Sequence, residues 1–125
     1  MLNSRSLKAL VGVHPDLVAV TKRAAEIMHG GFIITEGLRS KERQRELFAK
    51  GLSKTMNSRH LVGLAVDFAP LLEDGSITWK WPAFKPVAVA FKTAAKELKV
   101  AIEWGGDWKS FRDGPHIELS RAVYK

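Results

Sequence analysis

Two short segments carry the side chains best suited to chemistry. The first is Ser58-Arg59-His60-Leu61-Val62-Gly63-Leu64-Ala65-Val66-Asp67, and the second is Asp113-Gly114-Pro115-His116. Two imidazoles and a carboxylate form a donor set for Zn²⁺, and three protein ligands leave one coordination position open, as a hydrolytic site requires. Asp113, three residues before His116, is the natural candidate to take a proton from water at such a site. His60 and Asp67 are seven residues apart (67 − 60), an odd separation that would send them to opposite faces of one regular strand. Gly63 between them tolerates a bend that lets both converge. His60 is therefore expected on a loop or strand end and Asp67 on a strand. His116 comes from a distant segment, so a metal held by all three would tie remote parts of the chain together and add to stability.

Each residue also has a plainer explanation. A single histidine is more often a surface or core-edge residue than a ligand, and Asp67 between Val66 and Phe68 fits a solvent-facing strand position. His14 and His29, at the start and end of an expected helix, read as structural. Glu103 alternates with Ile102 and Trp104 as an ordinary strand residue does, which favours structure over a role as base. Glu118 either accepts a hydrogen bond from a ligand imidazole or is an exposed strand carboxylate. Ser58 and Gln44 are candidates for substrate contact, although a turn and a polar helix face account for them nearly as well. Trp79, Trp81, Trp104 and Trp108 either line a groove or fill the core.

Several elements must position these groups. Pro15 and Asp16 suit a helix entrance, and Leu17, Val20, Ala24 and Ile27 or Met28 recur at helical spacing until Gly30-Gly31. Phe32-Ile33-Ile34-Thr35 reads as a buried strand. Ser40 caps a very polar helix running to Lys50 and closed by Gly51, and residues 52–59 read as a loop. Leu64 to Phe68 reads as a strand ended by Pro70, and Ile77-Thr78-Trp79 as a short one. Phe84, Val87, Phe91, Ala94 and Leu98 step by 3, 4, 3 and 4, an amphipathic helix with Pro86 expected in its first turn. Val100 to Trp104 and His116 to Leu119 read as closing strands. Short strands with flanking helices suggest an α+β fold.

Composition bounds the rest. The 125 residues suffice for one domain with a core and are too few for two. The absence of Cys excludes disulfides and thiolate metal sites, so any metal must rest on His, Asp and Glu. Twenty basic against 13 acidic residues give a net charge of +7, which favours polyanions without choosing among nucleic acid, anionic lipid and wall polymer. No run of 18 apolar residues is present to span a membrane. The first residues lack the apolar middle of a signal peptide, so synthesis in the cytosol is expected. The closing Arg121-Ala122-Val123-Tyr124-Lys125 is either ordered or a short basic tail that helps contact an anionic envelope.

The two segments together resemble a known family. Ser58, His60, Gly63, Ala65 and Asp67, followed by Trp104 to Trp108 and then Phe111, Asp113, Pro115, His116 and Glu118, are similar to the signature of the zinc D-Ala-D-Ala carboxypeptidases. The branch most resembled is the L-alanyl-D-glutamate endopeptidases, which include many phage endolysins. Thr35-Glu36-Gly37-Leu38-Arg39-Ser40, with Glu42 and Gln44 after it, resembles the arginine-bearing segment of that family. The similarity runs from about Val13 to Leu119. It implies an α+β fold shared with hedgehog domains, a small antiparallel sheet flanked by helices. It implies zinc on His60, Asp67 and His116, Asp113 as catalytic base, and Arg39 binding or polarising the scissile carbonyl. Many relatives carry Glu where Asp113 stands, which places the carboxylate one methylene further out.

The expectation that follows is a single-domain endolysin, monomeric, cleaving the stem peptide of peptidoglycan after release through a membrane pore. Rival readings are a D-alanyl-D-alanine dipeptidase or carboxypeptidase, a zinc-bearing wall-binding domain without catalysis, and a basic nucleic-acid-binding module. The last lacks a recognition helix or RNA-binding motif, so no specific nucleic acid partner is expected.

Overall fold

The computed structural model describes every residue except Met1, Lys54, Asn57, Phe111 and Lys125. Phe111 of the second motif and Lys125 of the terminal segment thus lie outside the described residues, as do Lys54 and Asn57 of the expected loop.

Among the described residues, four helices and four strands follow in the order α1 (Ser4–Ala9), α2 (Pro15–Ile27), β1 (Phe32–Glu36), α3 (Lys41–Ala49), β2 (Ala65–Pro70), α4 (Trp81–Leu98), β3 (Ile102–Trp104) and β4 (His116–Leu119). Single 3-10 turns at Arg59–Val62 and Gly105–Asp107 precede β2 and follow β3. The sheet has the order β1-β2-β4-β3, with every neighbouring pair antiparallel. This is the α+β arrangement expected.

Alternation along the strands divides the sheet into two chemically different faces. Val66, Phe68, Ile117, Leu119 and Trp104 point into a core built with α2 and α4, where Leu17, Val20, Phe91 and Ala94 are fully buried. Phe68 stacks on Phe91 with centroids 5.8 Å apart. Asp67, His116 and Glu118 take the intervening positions, and Asp67 pairs directly with His116 across β2 and β4. The core face thus fixes the register that brings two candidate ligands side by side.

Caps and turns set the helix limits. His14 accepts a hydrogen bond from the Asp16 amide at 3.0 Å and so caps α2, and Ser40 caps α3 by accepting from the Arg43 amide. Three expectations need correction. The helix carrying Phe84 begins at Trp81 with Pro82 in its first turn, so Pro86 lies inside it and leaves the Pro82 carbonyl without its helical donor. Leu98 falls at the exposed end of that helix rather than in the core. Ile77 makes only a single bridge to Leu71, not a strand. The sequence reading also missed α1, whose Ser6 hydroxyl accepts from the Ile34 amide at 2.9 Å and so covers the open edge of β1.

Candidate metal centre and its cleft

His60 sits in the 3-10 turn Arg59–Val62, which Ser58 caps by accepting from the His60 amide at 3.2 Å. Gly63 ends the turn with φ 73°, and a Cβ there would lie 2.4 Å from the Gly12 carbonyl oxygen. Glycine therefore meets both a left-handed backbone and a close approach, and the chain turns sharply into β2. The odd separation of His60 and Asp67 is resolved by that turn.

One ligand atom each from His60, Asp67 and His116 lies within 4.8 Å of the others. Asp67 Oδ1 is 3.2 Å from His60 Nε2 and 3.3 Å from His116 Nδ1. The far nitrogen of each ring is held from behind: His60 Nδ1 donates to the Gly37 carbonyl at 2.8 Å, and His116 Nε2 donates to Glu118 Oε1 at 2.9 Å. A carbonyl can only accept, so His60 Nδ1 carries a proton and Nε2 is the nitrogen turned to Asp67. Nε2 donates to the carboxylate when protonated and offers its lone pair to an ion when not. Both imidazoles are thus oriented to offer a lone pair to one point, which is how proteins prepare ligand histidines. The nitrogen and oxygen donors suit Zn²⁺.

Electrostatics mark the same point. Burial drives the Asp67 carboxyl upward, but hydrogen bonds from His116 and His60 outweigh it and hold the group far below the ordinary carboxylate value. Burial alone would depress His116, yet the bonds to Asp67 and Glu118 raise it to about 9. Glu118 is 1 % exposed, so the reading of it as an exposed strand carboxylate is overturned. Burial opposes its charge, but His116 and then Arg121 more than offset that and lower it.

Asp113 stands beside this cluster, its Oδ2 3.9 Å from His116 Nδ1 and its side chain about half exposed. Burial, followed by the charge of Asp67, pushes its carboxyl above the usual value. Its loop closes against the 3-10 turn Gly105–Asp107 because Gly105 has no side chain: a Cβ there would lie 2.3 Å from the Asp113 carbonyl oxygen. These groups line a cleft of about 710 Å³, with Arg39, Ser58 and Trp108 among its walls. Trp108 packs on His116 with centroids 5.2 Å apart.

Arg39 reaches the site already engaged. Its Nε and Nη2 grip Glu36 at 2.7 and 3.0 Å, Nη1 donates to Gln44 at 2.7 Å and to Ser58 at 3.5 Å, and Nη2 lies 3.6 Å from Asp67 Oδ2. Arg39 thus lines the cleft while its donors rest on internal partners. Glu36 faces the site through an irregularity in β1, where the register jumps from Ile34↔Phe68 to Glu36↔Asp67. The extra residue shifts the side-chain phase.

Gln44 is a correction to the expected substrate contacts. It is fully buried, and its amide joins Arg39 to Ser53 and to the Thr55 carbonyl, leaving no surface for a ligand. Ser58 does line the cleft. Trp104 belongs to the core and donates to the Gly114 carbonyl, whereas Trp79 and Trp81 are exposed. Glu103 accepts from the Arg121 amide and is not among the cleft residues. Within the terminal segment Tyr124 is tied down, its hydroxyl donating to Asp16 and its carbonyl accepting from Arg59.

Comparison with known proteins agrees with this geometry. Residues 1–120 match the family described as phage L-alanyl-D-glutamate peptidase. The chain is 37% identical over 123 residues to an L-alanyl-D-glutamate peptidase of Escherichia phage T5, covering 95% of this chain and 88% of that one. It superimposes on the crystal structure of the Serratia marcescens L-Ala D-Glu endopeptidase ChiX with a TM-score of 0.91 and 43% identity, covering 99% and 93% of the two chains. The vancomycin-resistance D,D-dipeptidase VanXYg, at 17% identity and a TM-score of 0.58, covers 86% of this chain and 50% of its own and shares the fold alone.

Proposed function

Because the chain belongs to the phage L-alanyl-D-glutamate peptidase family, we propose that it is a zinc-dependent endolysin. It hydrolyses the bond between L-alanine and D-glutamate in peptidoglycan stem peptides, with residues 1–125 acting as one domain. One observation carries the reading: three oriented ligand atoms converge in a cleft with a further carboxylate beside them.

His60, Asp67 and His116 would hold the ion. Zinc, when bound, supplies Lewis acidity toward the carbonyl and makes water a stronger acid. Asp113 then accepts the proton of the attacking water and hands it to the leaving amine nitrogen. Gly37 and Glu118 keep the two imidazoles facing the ion, and Arg39 holds the second oxygen of Asp67. Trp108 walls the cleft against bulk water. Ser58 lines the cleft within reach of a bound peptide.

None of the described helices is long and apolar enough to cross a membrane. The reading places the enzyme at the wall, where its substrate lies, after release through a membrane pore. The net charge of +7 favours contact with an anionic envelope.

Mass spectrometry of muropeptides digested with and without a chelator tests the reading. Chelator-sensitive cleavage between L-alanine and D-glutamate is expected. Release of D-alanine or its dipeptide instead would assign the chain to D,D-peptidase chemistry, and binding to walls without any cleavage would make it a non-catalytic zinc domain.

A further inference from the structure

Most charges facing the cleft are committed to each other. Glu36 is gripped by Arg39, Asp67 lies between the imidazoles, and Glu118 is shared by His116, Arg59 and Arg121. The arginine of Arg121 thus rests on a carboxylate, with Nε 3.1 Å from Glu118 Oε2. Arg112 differs. Its Nε donates to the Gly106 carbonyl at 3.2 Å, and its guanidinium carbon lies 4.4 Å from the centre of the Trp81 ring. Both anchors are neutral. They fix the side chain without cancelling its charge, and among the described residues no hydrogen bond or ion pair engages its two Nη groups. Arg112 is exposed, lines the cleft, and immediately precedes Asp113.

That adjacency matters for the bond named above, on which this inference rests. In an L-alanyl–D-glutamate bond the leaving nitrogen is attached to the glutamate Cα, and the same carbon carries a free α-carboxylate. Asp113 serves the nitrogen, so the carboxylate must lie on the Asp113 side of the cleft. A guanidinium with two free Nη groups matches a carboxylate in a bidentate pair. We propose that Arg112 reads the α-carboxylate of the D-glutamate residue, and so selects stem peptides in which this group is free over those in which it is a carboxamide. A carboxamide has no charge, and its NH₂ would confront the arginine donors rather than accept from them.

The test uses two tripeptide substrates that differ only in this group, with the zinc-loaded wild type, Arg112→Gln and Arg112→Lys. The wild type is expected to favour the free carboxyl by roughly 10–100-fold in kcat/KM, mainly through KM, as a hydrogen bond between charged partners allows. Arg112→Gln should bring the free-carboxyl peptide down to the level of the carboxamide peptide, and Arg112→Lys should keep part of the preference. Calorimetric titration of the metal-free proteins with the free-carboxyl peptide, where no hydrolysis occurs, should show the same loss of affinity in Arg112→Gln. If Arg112→Gln slows both peptides equally, or the preference survives it, Arg112 merely props Trp81 and the inference is overturned. A wild type that cleaves neither peptide overturns the proposed function and this inference with it.

Discussion

Arg39 and Asp67 divide one carboxylate between two tasks. Nη2 of the arginine lies 3.6 Å from Oδ2, while Oδ1 faces both imidazoles at 3.2 and 3.3 Å. The arginine therefore orients the oxygen that would bind metal by holding the one that would not. It is itself fixed by Glu36, which the irregular register of β1 turns toward the site.

Replacing Arg39 by Met should thus weaken the metal site and the fold together. The change leaves Glu36 without its cation and frees Asp67 to rotate. Breaking a fully buried pair costs about 3–5 kcal/mol. Glu36 is one-quarter exposed, so a loss of roughly 2–3 kcal/mol is expected in denaturant titration of the metal-free protein. Zinc affinity, measured by competition with a chromogenic chelator, should fall as well. Unchanged affinity would show that Asp67 needs no such support.

Metal-free stability and zinc affinity should respond oppositely to pH. His116 is raised to about 9, so its contribution to stability is complete below its unfolded value of about 6.5 and is lost as pH rises toward 9. Asp67 is lowered, so its contribution is present above about 3.9 and is lost as pH falls through its folded value. The metal-free protein should therefore be most stable between about pH 4 and 6.5. Zinc must displace the His116 proton, so apparent zinc affinity should climb across pH 6.5–9 and then level off. Melting curves with and without zinc across this range would check both slopes.

Residue pattern exposed some of this and concealed the rest, for physical reasons. The stripe of Phe84, Val87, Phe91 and Ala94 and the strand around Asp67 were readable because burial imposes a period on neighbours in sequence. The grouping of His60, Asp67 and His116, which the structure brings together, was readable because donor chemistry limits the choice of residue. The partners of Arg39 and the burial of Gln44 were not, since folding alone brings those groups near. Glu36 was concealed by the register jump, which breaks the alternation that strand reading relies on. The start of α4 was misplaced because its first turn carries exposed Trp81 and Pro82, which add nothing to an apolar stripe.

Gly63 offers a test of how strictly the turn is required. Gly63→Ala forces a side chain onto a left-handed backbone at φ 73° and into the Gly12 carbonyl. Strain of this kind costs of order 1–3 kcal/mol, and the clash with backbone cannot be relieved by a rotamer change. A drop in melting temperature of roughly 5–15 °C is expected, together with weaker zinc binding as His60 shifts. Gly75→Ala is the control. Its φ is 86°, but nothing lies within 4 Å of the new Cβ, so it should cost about 1 kcal/mol and leave zinc affinity intact.

Asp113 should separate chemistry from metal binding. Its carboxyl lies 3.9 Å from His116 Nδ1 but makes no hydrogen bond among the described residues, so it does not help orient the imidazole. Asp113→Asn should therefore retain zinc while turnover falls roughly 10²–10⁴-fold, the usual contribution of a general base. The pH profile adds a second signature. Burial and the Asp67 charge raise this carboxyl, and only its ionised form accepts a proton. In the metal-free protein NMR should therefore find Asp113 titrating above an ordinary carboxylate. A bound cation pulls the value down again, so the acid limb of the zinc enzyme should lie below the titration that NMR reads for Asp113 in the metal-free protein. In Asp113→Asn that limb should vanish from whatever activity remains. Full activity in the variant, or an unchanged acid limb, would move the base elsewhere in the cleft.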